Sequence, residues 1–312
     1  KQKTAYEIAS CLVGSEMCIR DRSEDTRPYR SVLYIPGSKQ RALEKARSLP
    51  VDAIILDLED AVTPEAKPAA RKTLATALSE GGYGARVQIV RINGLDTPWW
   101  QDDIAALDDC DPDAILLPKV NSPDEIQRLA DVLAPSVSIW AMLETPLGVL
   151  NAQSIAAHPR TAGFAVGSND LAKELNCRFR ADRLPLIMAL QTVLLAARAE
   201  GVIAIDGVYN QFKDAAGLQF ECEQGRDLGF DGKSLIHPAQ IGLANQVFAP
   251  SASEISLAQR QIEAFKQASD AGQGVAVVDG TIVENLHVET AQRLLAKAHV
   301  IAKQAVAAQT GV

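Results

Sequence analysis

The chain has 312 residues, 47% of them hydrophobic and 22% charged, with 31 Lys and Arg against 39 Asp and Glu, a formal charge of -8. Such proportions exclude collagen-like and compositionally disordered classes, and the acidic balance argues against a nucleic-acid partner, which needs a basic surface. No apolar run approaches the roughly 20 residues of a membrane span, and five cysteines without CxxC spacing suggest neither a disulfide framework nor a zinc site, as in a reducing cytoplasm.

Lys1–Arg22 (KQKTAYEIASCLVGSEMCIRDR) holds no lasting period, and Glu16 and Arg20 break its apolar stretch, so it is not read as a secretory signal. It is either foreign to the protein or a disordered leader, and residues 1–29 are set apart from the fold. From Ser31 onward short runs rich in Val, Ile and Leu alternate with helical patterns. The runs are Ser31–Ile35, Ala53–Leu58, Val87–Ile92, Ala114–Leu117, Ser138–Leu143, Ala162–Val166, Val202–Ile205 and Gly232–Ile236. Continuous rather than alternating apolar runs indicate strands covered on both faces, as in parallel sheets. Helices are predicted over Ser38–Ser48, Pro64–Leu78, Pro123–Leu133, Leu184–Ala199 and Ala215–Leu228. Pro64 and Pro123 stand at the first helical position, behind Thr63 and Ser122 as caps. Eight such units in about 220 residues predict an α/β fold, a (β/α)8 TIM barrel. An open doubly wound sheet is the alternative, but it often carries a Gly-rich fingerprint, and no GxGxxG occurs here. The barrel is expected over residues 30–250. Residues 251–312 then supply two helices, Ala252–Ala268 and His287–Ala307, around Gly272–Glu284, as a C-terminal lid able to reach over a barrel mouth.

A barrel's reactive groups sit at the C-terminal ends of its strands. Here those ends carry Tyr34, Asp57-Leu58-Glu59-Asp60, Arg91, Pro118-Lys119, Glu144, Ser168-Asn169-Asp170, Asp206-Gly207 and His237. Glu144 and Asp170 end neighbouring strands. Two hard oxygen ligands completed by water and substrate suit Mg²⁺, although solvated loop carboxylates or helix caps would read the same. Arg91 presents a fork to an anion or else serves Asp57 or Glu59 internally. Glu59 and Asp60 are candidates to orient Arg91 or metal-bound water. Arg41 and Lys45 lie one helical turn apart, either a phosphate-binding face or a solvated one. His237, before Pro238, reads as structural; Cys177 and Cys222 read as inert, and Ser168 lacks the GxSxG context of a serine hydrolase.

Taken in order, RSVLYIPGS (Arg30–Ser38), DLEDAV (Asp57–Val62), VRIN (Val90–Asn93), LLPKV (Leu116–Val120), ETPLGVLN (Glu144–Asn151), GSNDLAKEL (Gly167–Leu175), IDGVY (Ile205–Tyr209) and GFDGKSLIHPAQI (Gly229–Ile241) form a pattern. The chain from Arg30 to about Ile301 resembles the citrate lyase β subunit / HpcH–HpaI aldolase superfamily, most of all malyl-CoA lyases and CitE-like acyl-CoA lyases. The resemblance implies a homotrimer or homohexamer whose lid closes on the adjacent subunit. It implies that Glu144 and Asp170 bind Mg²⁺, and that Arg91 binds a glyoxylate-like 2-oxo acid and stabilises developing negative charge. Tyr34, Arg41 and Lys45 match contacts to the CoA portion, and the segment around Asp206–Val208, with Asp206 and Gly207 foremost, matches a substrate contact. Many relatives carry an Asp, in a motif like GxMID, where this chain has Glu284 in GTIVE. That lid acid looks like the general acid/base, with Asp279 as the backup. The implied reaction is a reversible Claisen-type cleavage of L-malyl-CoA to acetyl-CoA and glyoxylate, or of β-methylmalyl-CoA to propionyl-CoA and glyoxylate. A malyl-CoA thioesterase, a citramalyl-CoA or citryl lyase, and a non-catalytic CoA-binding subunit remain as alternatives.

Overall fold

The apolar runs become parallel strands: β1 (Ser31–Pro36), β2 (Ala53–Asp57), β3 (Val87–Arg91), β4 (Ala114–Leu117), β5 (Ser138–Leu143), β6 (Thr161–Val166), β7 (Ile203–Asp206) and β8 (Gly232–Leu235). This is a computed structural model that describes residues 27–310, so the reading of Lys1–Arg22 lies outside the described residues. The eight strands pair in chain order, and β1 closes on β8, with Ser31 opposite Lys233. The chain is a (β/α)8 TIM barrel. Ile54 and Leu56 point to the helices while Val32, Ile55, Ile89, Leu116, Trp140 and Met142 fill the barrel interior. Both faces of each strand are covered, which is why the runs do not alternate.

The connecting helices are α1 (Gln40–Ala46), α2 (Lys67–Glu80), α3 (Trp100–Ala105), α4 (Pro123–Ala130), α5 (Pro146–Leu150), α6 (Ala152–Ala156), α7 (Ser168–Glu174), α8 (Ile187–Glu200), α9 (Ala215–Leu228) and α10 (Ile241–Val247). The predicted helices are all present. Those missed, α3, α5, α6, α7 and α10, run five to seven residues, too short to display a 3.6-residue period. At α4 the Glu125 carboxylate accepts from the Ser122 N–H at 3.1 Å, the expected capped start. Thr63 makes no side-chain cap, and Pro64 opens a 3₁₀ turn that leads into α2. Tyr29, assigned above to the leader, is buried against Trp140 with ring centroids 5.5 Å apart, so barrel packing already includes it.

The C-terminal segment forms α11 (Ala252–Asp270), a hairpin of β9 (Ala276–Val278) and β10 (Thr281–Val283), and α12 (Asn285–Thr310). It has its own small core: Ala276, Val278, Val283 and Val288, packed by Leu257, Ile262 and Phe265. Arg226 at the end of α9 bonds Glu254 at the start of α11 at 2.8 Å. Lys297 of α12 feels the charges of Asp231 and Asp52, which precede β8 and β2. The arm therefore springs from the N-terminal end of the barrel, opposite the C-terminal ends of the strands. No helix among the described residues is long and apolar enough to cross a membrane.

Candidate active site

At the C-terminal ends of the strands the chain brings together a dense set of carboxylates. Asp57 and Arg91 stand opposite each other in register on β2 and β3. Arg91 donates from Nε and Nη2 to the two Asp57 oxygens at 2.7 and 2.6 Å. Its Nη1 lies 2.7 Å from Glu59 Oε2, close enough for an ion pair but off hydrogen-bond geometry. The guanidinium also packs 5.0 Å from the Tyr34 ring centroid. The internal-partner reading of Arg91 thus describes it correctly. It is a buried cation braced by two chain carboxylates, with its remaining face turned to the mouth. The backbone N–H groups of Glu59 and Ala61 donate back to Asp57. From beneath, buried Lys67 donates to the carbonyls of Leu58 and Glu59 at 2.9 and 3.1 Å. The DLED loop is therefore rigid, and burial pushes the Glu59 carboxyl above its ordinary range despite Arg91.

Glu144 ends β5 and is 1% exposed. Its Oε1 accepts from the Lys119 N–H at 2.9 Å. Burial raises its pKa to about 8, with further upward pushes from Glu59 and Asp170. Asp170 sits in the first turn of α7, half-buried. Gly167 lets the two approach, because a Cβ there would collide with the Glu144 side chain. A buried carboxylate held next to two others, with one backbone donor, is short of positive charge. A small divalent cation supplies it, so the donors fit Mg²⁺. Among the described residues no cluster of three or more His, Cys, Asp and Glu side chains could hold a metal. Such an ion would rest on this pair, with the rest of its shell left to water and substrate.

Beside the pair lies a cavity of about 350 Å³ lined by Tyr34, Asp57, Arg91, Met142, Asp170 and Val208 among others. A larger recess of about 570 Å³, around Tyr29, Asp113, Ser138 and Trp140, opens at the other end of the barrel, away from these carboxylates. Tyr34 lines this cavity. Arg41 and Lys45 lie exposed on α1. His237 accepts from the Ala239 N–H through Nδ1 and stacks on Phe212, as the structural reading requires. Cys222 is buried, and burial raises its thiol to about 12.

One expectation changes. Asp206 is fully buried and does not face a substrate. Its carboxylate accepts from Arg183 at 2.7 Å, from Lys233 at 2.9 Å and from the Gly207 N–H, and Lys233 also bonds Glu221 at 2.6 Å. Burial would raise its pKa, but Lys233 and Arg183 overcome that and hold it low. Gly207 is likewise buried, packed against Ser168 where a Cβ would clash. The lysine in the run GKSLI was the sign that went unread, since a mid-strand ammonium needs a buried partner. Removing the ammonium leaves the buried Asp206 carboxylate to Arg183 and takes a donor from Glu221, so Lys233→Met is expected to cost on the order of 3 kcal/mol in urea unfolding; a loss below about 1 kcal/mol would contradict this account. Glu284 is exposed in the arm, with its N–H on His287 Nδ1, and is not among the residues lining the mouth cavity of its own chain. Asp279 is paired with Arg260 at 2.6 Å within the arm, which holds its carboxyl low.

The model of the family described as HpcH/HpaI aldolase/citrate lyase matches residues 30–238. A (3S)-malyl-CoA thioesterase of Cereibacter sphaeroides (strain ATCC 17025 / ATH 2.4.3) is 59% identical over 280 residues, 90% of this chain and 98% of that protein. The mitochondrial citramalyl-CoA lyase of Homo sapiens is 31% identical and 82% of each chain is covered. Among solved structures, CitE of Mycobacterium tuberculosis in complex with magnesium, acetoacetate and coenzyme A superposes with a TM-score of 0.74 at 30% identity, covering 88% of this chain and 99% of that one.

Proposed function

We propose, for a chain that belongs to the HpcH/HpaI aldolase/citrate lyase family, that it hydrolyses malyl-CoA to malate and coenzyme A. The observation that carries this reading is the 59% identity to a (3S)-malyl-CoA thioesterase across nearly the whole of both chains. It reverses the order expected above, where cleavage of the carbon–carbon bond came first. That lyase reading stands second, supported by the citramalyl-CoA lyase relative and by a carboxylate-and-arginine site able to serve either reaction.

Glu144 and Asp170 would hold Mg²⁺, as the magnesium in the CitE complex supports. Bound there, the ion would supply positive charge to oxygens of the malyl group. Tyr34 and Arg91 wall the cavity. Arg91, locked by Asp57, offers a fixed positive charge to oxygen as it becomes anionic, and Glu59 holds it in place. Arg41 and Lys45 are placed to meet the phosphates of CoA. Glu284, brought by the arm of an adjacent copy in a trimer or hexamer, would take a proton from water. The new C–O bond forms as the C–S bond breaks, and the proton returns to the leaving thiolate.

The deciding assay incubates the protein with L-malyl-CoA and Mg²⁺, with and without EDTA. EDTA-sensitive free thiol and malate without glyoxylate are expected. Glyoxylate and acetyl-CoA without free thiol would establish the lyase instead. Gly167→Ala displaces the Glu144 carboxylate, so its Mg²⁺ requirement is expected to rise at least about tenfold, since misplacement on the 1 Å scale is costly. An unchanged Mg²⁺ titration would remove Glu144 from the metal site.

A further inference from the structure

The strand end Pro118-Lys119 has no role in this scheme, yet its geometry is unusual. Lys119 has φ 53°, the left-handed region that a residue with a Cβ enters only at a cost in free energy. The conformation aims its N–H at Glu144 Oε1, 2.9 Å away. Its ammonium makes one long contact, 3.4 Å, to Glu59 Oε1 and feels the charge of Asp60, which lines the cavity, while the side chain stays 47% exposed. Arg91, the cation among the cavity-lining residues, differs in both respects. It is buried, its Nε and Nη2 are given to Asp57, and its Nη1 faces Glu59. Asp57, Glu59, Asp60, Glu144 and Asp170 meanwhile gather around the same mouth, with Arg91 already committed to the first two.

We propose that Lys119 receives the free carboxylate of the acyl-CoA substrate and so sets a preference for thioesters of dicarboxylic acids. This rests on the malyl-CoA reading and deepens it. An ammonium has three donors. With one resting on Glu59, it can pivot to a substrate carboxylate without leaving its own partner, which the braced guanidinium cannot do. The strained backbone earns its place by directing one residue at both the Glu144 ligand and the substrate anion.

The test is direct binding, by calorimetry at saturating Mg²⁺, of succinyl-CoA and butyryl-CoA, which differ in the terminal carboxylate. Wild-type protein is expected to prefer succinyl-CoA by tenfold or more. Lys119→Gly should lower that preference about tenfold by weakening succinyl-CoA, with butyryl-CoA unchanged. Lys119→Arg, which keeps the charge, should hold the preference to within a few-fold. Glycine accepts a φ of this sign freely, so Lys119→Gly should melt no lower than wild type, and folding does not confound the result. An unaltered preference in Lys119→Gly, or equal weakening of both esters, overturns the role of Lys119. A wild-type protein that does not distinguish the two esters overturns the malyl-CoA reading instead.

Discussion

Asp170→Ala is expected to lower turnover of malyl-CoA on the order of 10³-fold and to erase its response to Mg²⁺ and EDTA. The size follows from the site's economy of ligands. With two protein carboxylates on the ion, losing one removes half of what the chain contributes, and among the described residues no group of three or more His, Cys, Asp and Glu forms a fuller metal site. Glu144 would stay buried, its carboxyl still raised by its surroundings though relieved of Asp170. The fold should be little affected, because Asp170 lies half-buried in the first turn of a seven-residue helix and not in the barrel core. An active variant indifferent to EDTA would end the metal assignment.

Glu284→Gln should reduce turnover by about 10²–10⁴, the usual weight of a positioned acid or base, while leaving CoA-ester binding near wild type. Gln keeps the size and loses the proton-accepting charge. The position of the arm gives this variant a second use. Glu284 does not line its own cavity and its arm leaves from the far end of the barrel, so the defect should be complementable between chains. Unfolded and co-refolded, or co-expressed, Asp170→Ala and Glu284→Gln chains should regain activity neither has alone. Random mixing in a closed ring pairs an intact metal site with an intact neighbouring arm at roughly a quarter of the sites. Failure to regain any activity would mean that the arm serves its own barrel or none.

The barrel was legible because parallel strands buried on both faces write themselves as apolar runs, and each of the eight fell within a residue or two of its observed ends. The carboxylate pair was legible for a related reason: barrel topology puts every strand end in one mouth. What could not be read was who pairs with whom. Asp206 and Asp170 follow adjacent strands and look alike in sequence. Yet one is drawn inward by Lys233 and Arg183, and Arg183 lies in a loop far along the chain whose approach only the packing of α8 and α9 decides. Lys67 went unread, and Lys119 stood out only as a strand end, for the same reason, since a lysine's role depends on where its long stem leads.

The small core of the arm has a consequence for how the site is kept together. Four buried apolar residues form a cooperative unit much weaker than the barrel, one that opens locally at free energies well below global unfolding. In a lone chain the segment bearing Glu284 would fray and re-form while the carboxylate pair stayed fixed. The barrel's rigidity would then preserve half of the site, and docking on a neighbour, as proposed, would supply the order of the other half. The fraction of time the site is complete would be governed by association between chains rather than by the folding of any one of them.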